Sequence, residues 1–571
     1  MIKSAFRKVK VYSFLVGLLY LSFNVPTLAQ QQQTFQNPIL PGFYPDPSVL
    51  RVGEDYYLIN STFAYFPGVP IFHSKDLVSW TQIGNILNRP EQLNLDGHDV
   101  SQGIFAPTIS YKDGTFYMVT TLIKNGGNFV VTATNPAGPW SNPHWLPGVN
   151  GIDPALFHDG EGKSYIVYNS IAPDNKPLYN GHRTIRINEI DLKTLKTVEP
   201  NQILVNGGVD FSKKPVWVEG PHIYKVDGYY YLMAAEGGTG TNHSEVILRS
   251  KNVKGPYEPY DKNPILTQRH LPKGRVNPVS ATGHADLVQT QSGDWWAVFL
   301  ATRPYNIQQD YYNTGRETFL APVTWKDGWP IINAENDLVL YSYPRPNLPA
   351  QLKPEFPLNG NFTYCEDFKA PVLPMHWLQL RTPRSAWYTL DRGKLVLDVR
   401  PESFSEKVNP SFIARRQQHV RGSGSTQMEF NPQKENEFAG LITFQNSEHY
   451  YAIGKTLKGN NQVVQLRKPD GTVLAEKALS KKEAKKPLLL KVDFDGAEYS
   501  FYYATQKDKW QALQEKVDGT FLSTRTAGGF VGVLLGVYAT SHGQSSTSKA
   551  KFEWFGYSGN DAIFSSVLTS K

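Results

Sequence analysis

The chain has 571 residues, 13% of them aromatic, with 46 Gly and 40 Pro. This length allows more than one domain with a sizeable core, and the abundance of Gly, Pro and aromatic residues is typical of an all-β protein with many turns. The formal net charge is only +7. Because no basic cluster accompanies this small charge, the composition argues against nucleic acid or an anionic membrane surface as a partner.

Residues 1–29 are predicted to be a secretory signal peptide. A basic stretch precedes the apolar run 11–25, and Thr27-Leu28-Ala29 before Gln30 matches a small-residue cleavage site. An uncleaved membrane anchor is the alternative, although the run is short for a full span. The single Cys365 cannot form an internal disulfide. We therefore expect a periplasmic or secreted bacterial protein that leaves the membrane after cleavage.

From residue 35 to 343 a strand–turn–strand pattern recurs five times. Three copies open on an acid, at Asp46, Asp153 and Glu219, and the other two open at Ala106 and His284. Repeats of this kind are typical of propeller blades. Because the inner strand of each blade lines the central channel, the three carboxylates are predicted to face one cavity.

The pattern changes after a proline-rich segment, residues 344–363, which we expect to link or strap two domains. Residues 364–560 show longer strands in which apolar and polar residues alternate, as in 488–494. Alternation with period two indicates half-buried antiparallel strands, and this number of strands suggests a sandwich. The predicted fold is therefore all-β, a five-bladed β-propeller followed by a lectin-like β-sandwich.

The acids have local surroundings that suit catalysis. Prolines on both sides of Asp46 restrict its backbone, and a rigid carboxylate suits a general base that must hold a water. The apolar run 216–218 before Glu219 should raise the pKa of that residue by desolvation, as a general acid requires. Taken singly, Asp46 and Asp153 could also be ordinary Asp-Pro turns.

Over nearly its whole length the chain resembles glycoside hydrolase family 43. The motifs that carry this resemblance occur, in order, at residues 37–48, 66–71, 73–77, 151–154, 219–222, 283–285 and 315–318. The resemblance implies a five-bladed propeller that cleaves terminal xylose or arabinofuranose with inversion. The second domain is similar to the sandwich of the β-xylosidase-like members.

The resemblance also implies roles for the acids. Asp46 would be the general base, Glu219 the general acid, and Asp153 the residue that positions Glu219 and keeps its pKa raised. An inverting pair of carboxyls should be about 6.5–9.5 Å apart to leave room for a water. Arg316 matches an arginine that hydrogen-bonds the sugar and balances the acids, and a salt bridge to Glu317 is the alternative for it.

Four further residues match positions around the sugar. Phe63, Phe105 and Thr239 correspond to residues that wall the pocket, and phenylalanine at 105 departs from the tryptophan usual there; core packing is the alternative for each. His284 corresponds to a central histidine beneath the sugar, or is a core histidine. The resemblance implies no required cofactor, with a structural calcium in the channel near His284 as an open metal site.

Three functions remain open from the sequence. The leading one is an exo-acting, inverting glycosidase that releases β-D-xylose or α-L-arabinofuranose from hemicellulose or pectin fragments. A retaining propeller that cleaves fructans or sucrose, and a propeller that binds carbohydrate without cleaving it, are the alternatives. The segment 541–546 of the sandwich is our candidate for a loop that closes the channel.

Overall fold

The computed structural model describes residues 34–352 and 354–565. The predicted signal peptide, residues 1–29, lies outside this part of the chain. Within the described part, no helix combines the length and apolar character needed to cross a membrane.

Five antiparallel sheets form the blades of the propeller, each with its strands in chain order from the channel outward. Blades three and four each carry one additional short strand, which pairs with the third strand of the blade. The strands of the five blades are, in order: Ser48–Val52, Asp55–Ile59, Gly68–Ser74 and Thr81–Leu87; Ile104–Lys112, Thr115–Leu122, Gly127–Ala133 and His144–Trp145; Ile152–His158, Ser164–Ile171, Arg183–Asp191, Lys196–Thr197 and Gln202–Asn206; Glu219–Val226, Tyr229–Glu236, Ser244–Ser250, Glu258–Pro259 and Leu266–Thr267; Ser280–Gln289, Trp295–Thr302, Glu317–Lys326 and Trp329–Ile332.

The ring closes where blade five meets blade one. The strand Thr34–Gln36 pairs with Ser342–Pro344, so the two ends of the propeller sequence lie side by side. Near the channel, the carboxylate of Asp286 accepts hydrogen bonds from the hydroxyl and backbone N–H of two consecutive blade-one residues, Ser48 and Val49, both at 2.9 Å. These buried contacts join the last inner strand to the first.

The inner strands of blades two to five share an irregularity at corresponding positions. In each, the pairing with the next strand skips residues, and prolines at three of these gaps supply no backbone donor. Such bulges bend a strand and re-aim its side chains, and they are frequent beside active sites. The skipped steps are Phe105 to Thr108, Ile152 to Ala155, Glu219 to His222 and Gly283 to Asp286.

The second domain is a sandwich of two antiparallel sheets around a common apolar core. Over both domains, the described residues also form four 3₁₀ turns, two of them in the propeller, and two one-turn α-helices, at Thr524–Ala527 and Ala562–Ser565. One sheet contains Phe362–Glu366, Tyr388–Leu390, Leu395–Asp398, Lys549–Gly559, Arg421–Glu429, Leu488–Asp495, Glu498–Ala504 and Gln511–Asp518; the other contains Ser411–Arg416, Leu534–Thr540, Phe438–Asn446, His449–Lys458, Asn461–Arg467 and Val473–Ala478. The predicted propeller followed by a sandwich is confirmed.

The proline-rich segment crosses blade one as a strap. The guanidinium of Arg345 donates to Asp76 at 2.6 Å, and the backbone N–H of Gln351 donates to the same carboxylate at 3.2 Å. Further along the chain, Gln379–Leu380 pairs with Tyr65–Phe66 of the propeller. The segment between the domains therefore lies against the first blade.

The two domains share one apolar cluster. Phe43, Phe63 and Tyr65 of the propeller pack with Leu378, Phe412 and Phe444 of the sandwich. At the edge of this cluster, the guanidinium of Arg416 donates to the carbonyl of Phe43 at 2.5 Å and lies 4.1 Å from the ring centre of Tyr44. The sandwich therefore supports the residues next to Asp46.

A buried ion network also joins the domains. Arg303 donates to both oxygens of Glu317, at 2.6 and 2.8 Å, and to Asp561 at 2.7 Å. Arg303, Glu317 and Asp561 are all buried, and Glu317 also accepts from the backbone N–H of Gly42 at 2.6 Å. Removing the cation would leave two carboxylates in the interface without their partner.

Arg303→Met should therefore destabilise the protein strongly. Breaking a buried charge network from one side costs about 3–5 kcal/mol, so we expect a clear fall in the melting temperature by scanning calorimetry. Arg421→Met is the matched control, because Arg421 and its partner Asp495 are more than half exposed and such pairs contribute at most about 1 kcal/mol. Equal effects of the two substitutions would contradict this interpretation.

Candidate active site

A cavity of about 600 Å³ opens at the mouth of the propeller channel. All eight residues that the sequence placed in the site line this one cavity. They are Asp46, Phe63, Phe105, Asp153, Glu219, Thr239, His284 and Arg316.

Asp46 is held as a charged group. It is 5% exposed, and its backbone has a φ of 50° just before the first inner strand. Its carboxylate accepts from the hydroxyl of Ser61 at 2.6 Å and from Arg316 Nη1 at 3.1 Å. Burial alone would raise the pKa of Asp46, but Arg316, His284 and the Ser61 hydrogen bond together lower it below its usual value.

The pKa of Glu219 is shifted in the direction opposite to that of Asp46. It opens the inner strand of blade four and is 8% exposed. Burial raises its pKa well above the usual value, and the negative charges of Asp153 and Asp46 raise it further. Glu219 therefore holds a proton under conditions in which Asp46 is ionised.

Asp153 contacts the backbone directly after Glu219. Its backbone has a φ of 54° in the bulge of the third inner strand, and its carboxylate accepts from the N–H of Gly220 at 3.0 Å. Because Gly220 follows Glu219 directly, this bond places the start of blade four. Burial raises the pKa of Asp153; His284 opposes that rise, and the charge of Asp46 adds to it.

His284 lines the cavity from the inner strand of blade five. Its Nδ1 is 3.9 Å from an oxygen of Asp46. A Cβ atom on Gly220 would lie 2.8 Å from His284 Nε2, so only glycine leaves room for the ring at that position. Glycine at 220 also accommodates a φ of 58°.

Arg316 contacts the aromatic wall as well as Asp46. Its guanidinium carbon is 5.9 Å from the ring centre of Phe63 and 5.3 Å from that of Phe530. Its Nε is buried without a hydrogen-bond partner among the described residues, and it is available to a ligand oxygen. The alternative of a salt bridge to Glu317 is wrong, because Glu317 is bound by Arg303.

Phe530, a residue of the sandwich, completes the wall and was not predicted. Its ring stacks on Phe63 with a centroid distance of 5.8 Å and meets Phe105 edge to face at 5.9 Å. The backbone N–H of Phe530 donates to Ser101 at 2.9 Å. Core packing also holds for Phe63, which stacks on Phe43 at 5.8 Å.

The segment 541–546 does not line the cavity, so our expectation for it was wrong. Its ends are held elsewhere on the sandwich, where Ser541 N donates to the carbonyl of Arg400 at 2.9 Å and Ser546 donates to Glu437 at 2.6 Å. The loop that reaches the cavity runs from 528 to 533 instead. Polar composition had suggested the wrong loop, because the contact is made by an apolar ring.

Two glycines bring this loop against the propeller. A Cβ on Gly315 would lie 2.9 Å from the Cα of Gly532, and one on Gly532 would lie 2.6 Å from the backbone of Thr314. The N–H of Val533 donates to the carbonyl of Asn313 at 2.8 Å. This close approach fixes Arg316 and Phe530 relative to each other.

Arg183 and Trp217 also line the cavity and were missed as site residues. The guanidinium carbon of Arg183 lies 4.6 Å from the ring centre of Trp217, and both of its donating nitrogens bind Asn169 Oδ1, at 3.0 and 2.6 Å. Trp217 is 38% exposed. Of the apolar segment 216–218 before Glu219, only Val218 is buried, and Trp217 is partly open to the cavity.

The metal question stays a prediction. Among residues 34–352 and 354–565, no three His, Cys, Asp or Glu side chains are grouped as ligands for a metal ion.

Comparison with known proteins identifies the family. Residues 35–330 match the glycosyl hydrolases family 43, and residues 365–558 match the β-xylosidase C-terminal concanavalin A-like domain. A xylosidase/arabinosidase of Butyrivibrio fibrisolvens is 40% identical over 91% of this chain and 98% of its own length. A non-reducing end α-L-arabinofuranosidase of Bacteroides ovatus is 38% identical over 95% and 98%.

Solved structures show the same two-domain arrangement. The xylan β-1,4-xylosidase of Bacillus halodurans superposes with a TM-score of 0.83 at 33% identity, over 92% of this chain and all of that one. The chain therefore belongs to glycoside hydrolase family 43.

The charge of Asp153 should be visible in the pH profile. If Glu219 is the general acid, it acts only when protonated, and activity should fall as the pH rises through its raised pKa. Asp153→Asn removes a negative charge that raises this pKa, and the alkaline limb of kcat/KM should move to lower pH. Asp113→Asn, the same change on an exposed turn, should leave the limb in place. An unmoved alkaline limb in Asp153→Asn would refute this electrostatic role.

Proposed function

We propose that this family 43 glycoside hydrolase is an exo-acting, inverting enzyme that releases terminal β-D-xylose or α-L-arabinofuranose from plant cell-wall oligosaccharides. The observation that carries the proposal is the opposite pKa tendency of two buried carboxyls in one cavity. The pKa of Asp46 is lowered and that of Glu219 is raised. Two carboxyls whose environments separate their pKa values suit a base and an acid.

The reaction follows from these two states. Asp46 takes a proton from a water molecule while the oxygen of that water forms a bond to the anomeric carbon. At the same time Glu219 gives its proton to the departing glycosidic oxygen. The bond to water forms on the face opposite the glycosidic bond that breaks, and this single displacement inverts the configuration of the anomeric carbon. The charges of Asp46 and Asp153 favour the positive charge that develops on the sugar ring in the transition state.

The shape of the cavity supports release of one terminal sugar. Phe530 of the sandwich and Phe63 and Phe105 of the propeller form an aromatic wall, against which the apolar face of a pentose can pack. Trp217 stands two residues before Glu219 and is partly exposed. We assign it to the side of the cavity that receives the leaving group, because the general acid protonates the oxygen on that side.

The relatives' printed names support the sugar class. They describe a xylosidase/arabinosidase, an α-L-arabinofuranosidase and a xylan β-1,4-xylosidase. A protein that only binds carbohydrate would not need one buried carboxyl held ionised and another held protonated. Export to the periplasm or the medium, with no nucleic-acid partner, completes the proposal and is supported by the signal-like sequence of residues 1–29.

Initial rates on p-nitrophenyl β-D-xyloside and α-L-arabinofuranoside test the proposal directly. Asp46→Ala should lose a factor of about 10²–10⁴ on the preferred substrate, and the ratio of wild-type rates identifies the sugar. Glu219→Ala should lose more on a disaccharide than on the aryl glycoside, because p-nitrophenolate departs with little need for a proton. Glu161→Ala, an exposed acid, is the control.

Two results would overturn these assignments. Full activity of Asp46→Ala would remove that residue as the base. A wild-type protein that hydrolyses neither substrate but binds xylo- or arabino-oligosaccharides would be a carbohydrate-binding propeller.

A further inference from the structure

A second concave surface lies on the sandwich and shares no lining residue with the active-site cavity. It has a volume of about 800 Å³. It forms where residues 479–487 cross from one sheet of the sandwich to the other. The opposite side is built from the turn at 460–462 and from the ends of two strands, at 429–431 and 549–551. We call it the lysine groove.

The lysine groove is strongly basic, so the expectation that the chain has no basic cluster was wrong: the segment 481–486 alone contains four lysines. The acid in its lining, Glu429, already binds Lys394 at 2.6 Å. Of the lining lysines, Lys549 binds Asp398 at 2.5 Å. Within residues 34–352 and 354–565, the other five have no carboxylate oxygen within 4.0 Å: Lys455, Lys481, Lys485, Lys486 and Lys551.

Lys455 is the unusual member of this set, because it is only 2% exposed. Its Nζ donates to the carbonyl of Ala484 at 2.7 Å, and burial lowers its pKa to about 8. A buried ammonium is costly unless an opposite charge is near. A bound anion would supply that charge.

Amide side chains form the rest of the polar edge. Asn431, Asn460, Asn461 and Gln462 line the groove, and an amide can both donate to and accept from a sugar hydroxyl. The aromatic residue of the lining, Phe430, is 6% exposed. Single-stranded nucleic acid is bound through exposed rings on which bases stack, so this groove favours a different anion.

We propose that the lysine groove binds an oligosaccharide that carries a uronate branch. The carboxylate pairs with the lysines around Lys455, and neighbouring hydroxyls bind the amide edge. The groove lies outside the catalytic cavity, so it would hold an acidic glycan while the propeller acts on a neutral terminal sugar. The proposal rests on the proposed function only for the choice of a saccharide as ligand.

Calorimetric titration of the chain carrying Glu219→Gln, which prevents hydrolysis, tests this assignment. The probes are xylotriose with a glucuronate branch and unbranched xylotriose as its neutral match. We expect the acidic probe to bind more tightly, by an amount that shrinks with added salt. Replacing Lys485, Lys486 and Lys551 together by Gln should weaken its binding about tenfold or more.

Controls separate this site from the active site and from a simple anion site. Lys482→Gln, in the same segment but outside the lining, should change binding less than about twofold. The triple lysine variant with Glu219 intact should hydrolyse aryl pentosides at the wild-type rate. If the wild-type protein itself hydrolysed no aryl pentoside, the proposed function would be refuted, but the binding proposal for the lysine groove would not. Equal affinity for both probes, unchanged affinity in the triple variant, or displacement of the acidic probe by equimolar sulfate would overturn the uronate proposal.

Discussion

Three carboxyl groups are buried in one cavity, and one of the two arginines that line it, Arg316, is bonded to Asp46. Like charges at close range in a poorly solvated site cannot all be ionised. The hydrogen bond from Arg316 at 3.1 Å therefore favours charge on Asp46, while burial and the neighbouring charges keep the proton on Glu219. The contact of Arg316 with Asp46 thus favours the proposed roles of Asp46 as base and Glu219 as acid, and the surrounding structure holds that contact in place.

Two backbone features maintain the positions of the acids and of Arg316. Bulges in the inner strands hold Asp153 and His284 with positive φ values of 54° and 50°, so their side chains turn into the channel. The contact of Gly315 with Gly532 places Arg316 against the sandwich. Since Phe530 comes from the same sandwich loop, the second domain is a structural part of the catalytic cavity.

The repeat and the strand periodicity were sufficient to predict the propeller, the sandwich and the convergence of Asp46, Asp153 and Glu219 on the channel. The other predicted cavity residues, Phe63, Phe105, Thr239, His284 and Arg316, were assigned to the sugar site through the resemblance to the family. Phe530 and the Arg183–Trp217 pair were beyond such reasoning. Phe530 reaches the cavity by a contact between domains, which leaves no periodic signal in the chain. Arg183 and Trp217 meet because Gly181 accepts the N–H of Trp217 at 2.9 Å, a loop contact between blades three and four. Choosing the segment 541–546 failed because polar composition says little about which loop faces a neighbouring domain.

The stereochemistry of hydrolysis tests most directly whether Asp46 activates a water opposite Glu219. Proton NMR spectra recorded as p-nitrophenyl β-D-xyloside, or the preferred α-L-arabinofuranoside, is first consumed would identify the anomer released before mutarotation. Direct attack by water requires that the first sugar have the anomeric configuration opposite to that of the substrate. First appearance of the sugar with retained configuration would mean that a carboxylate attacks the sugar itself, and would contradict the roles assigned to Asp46 and Glu219.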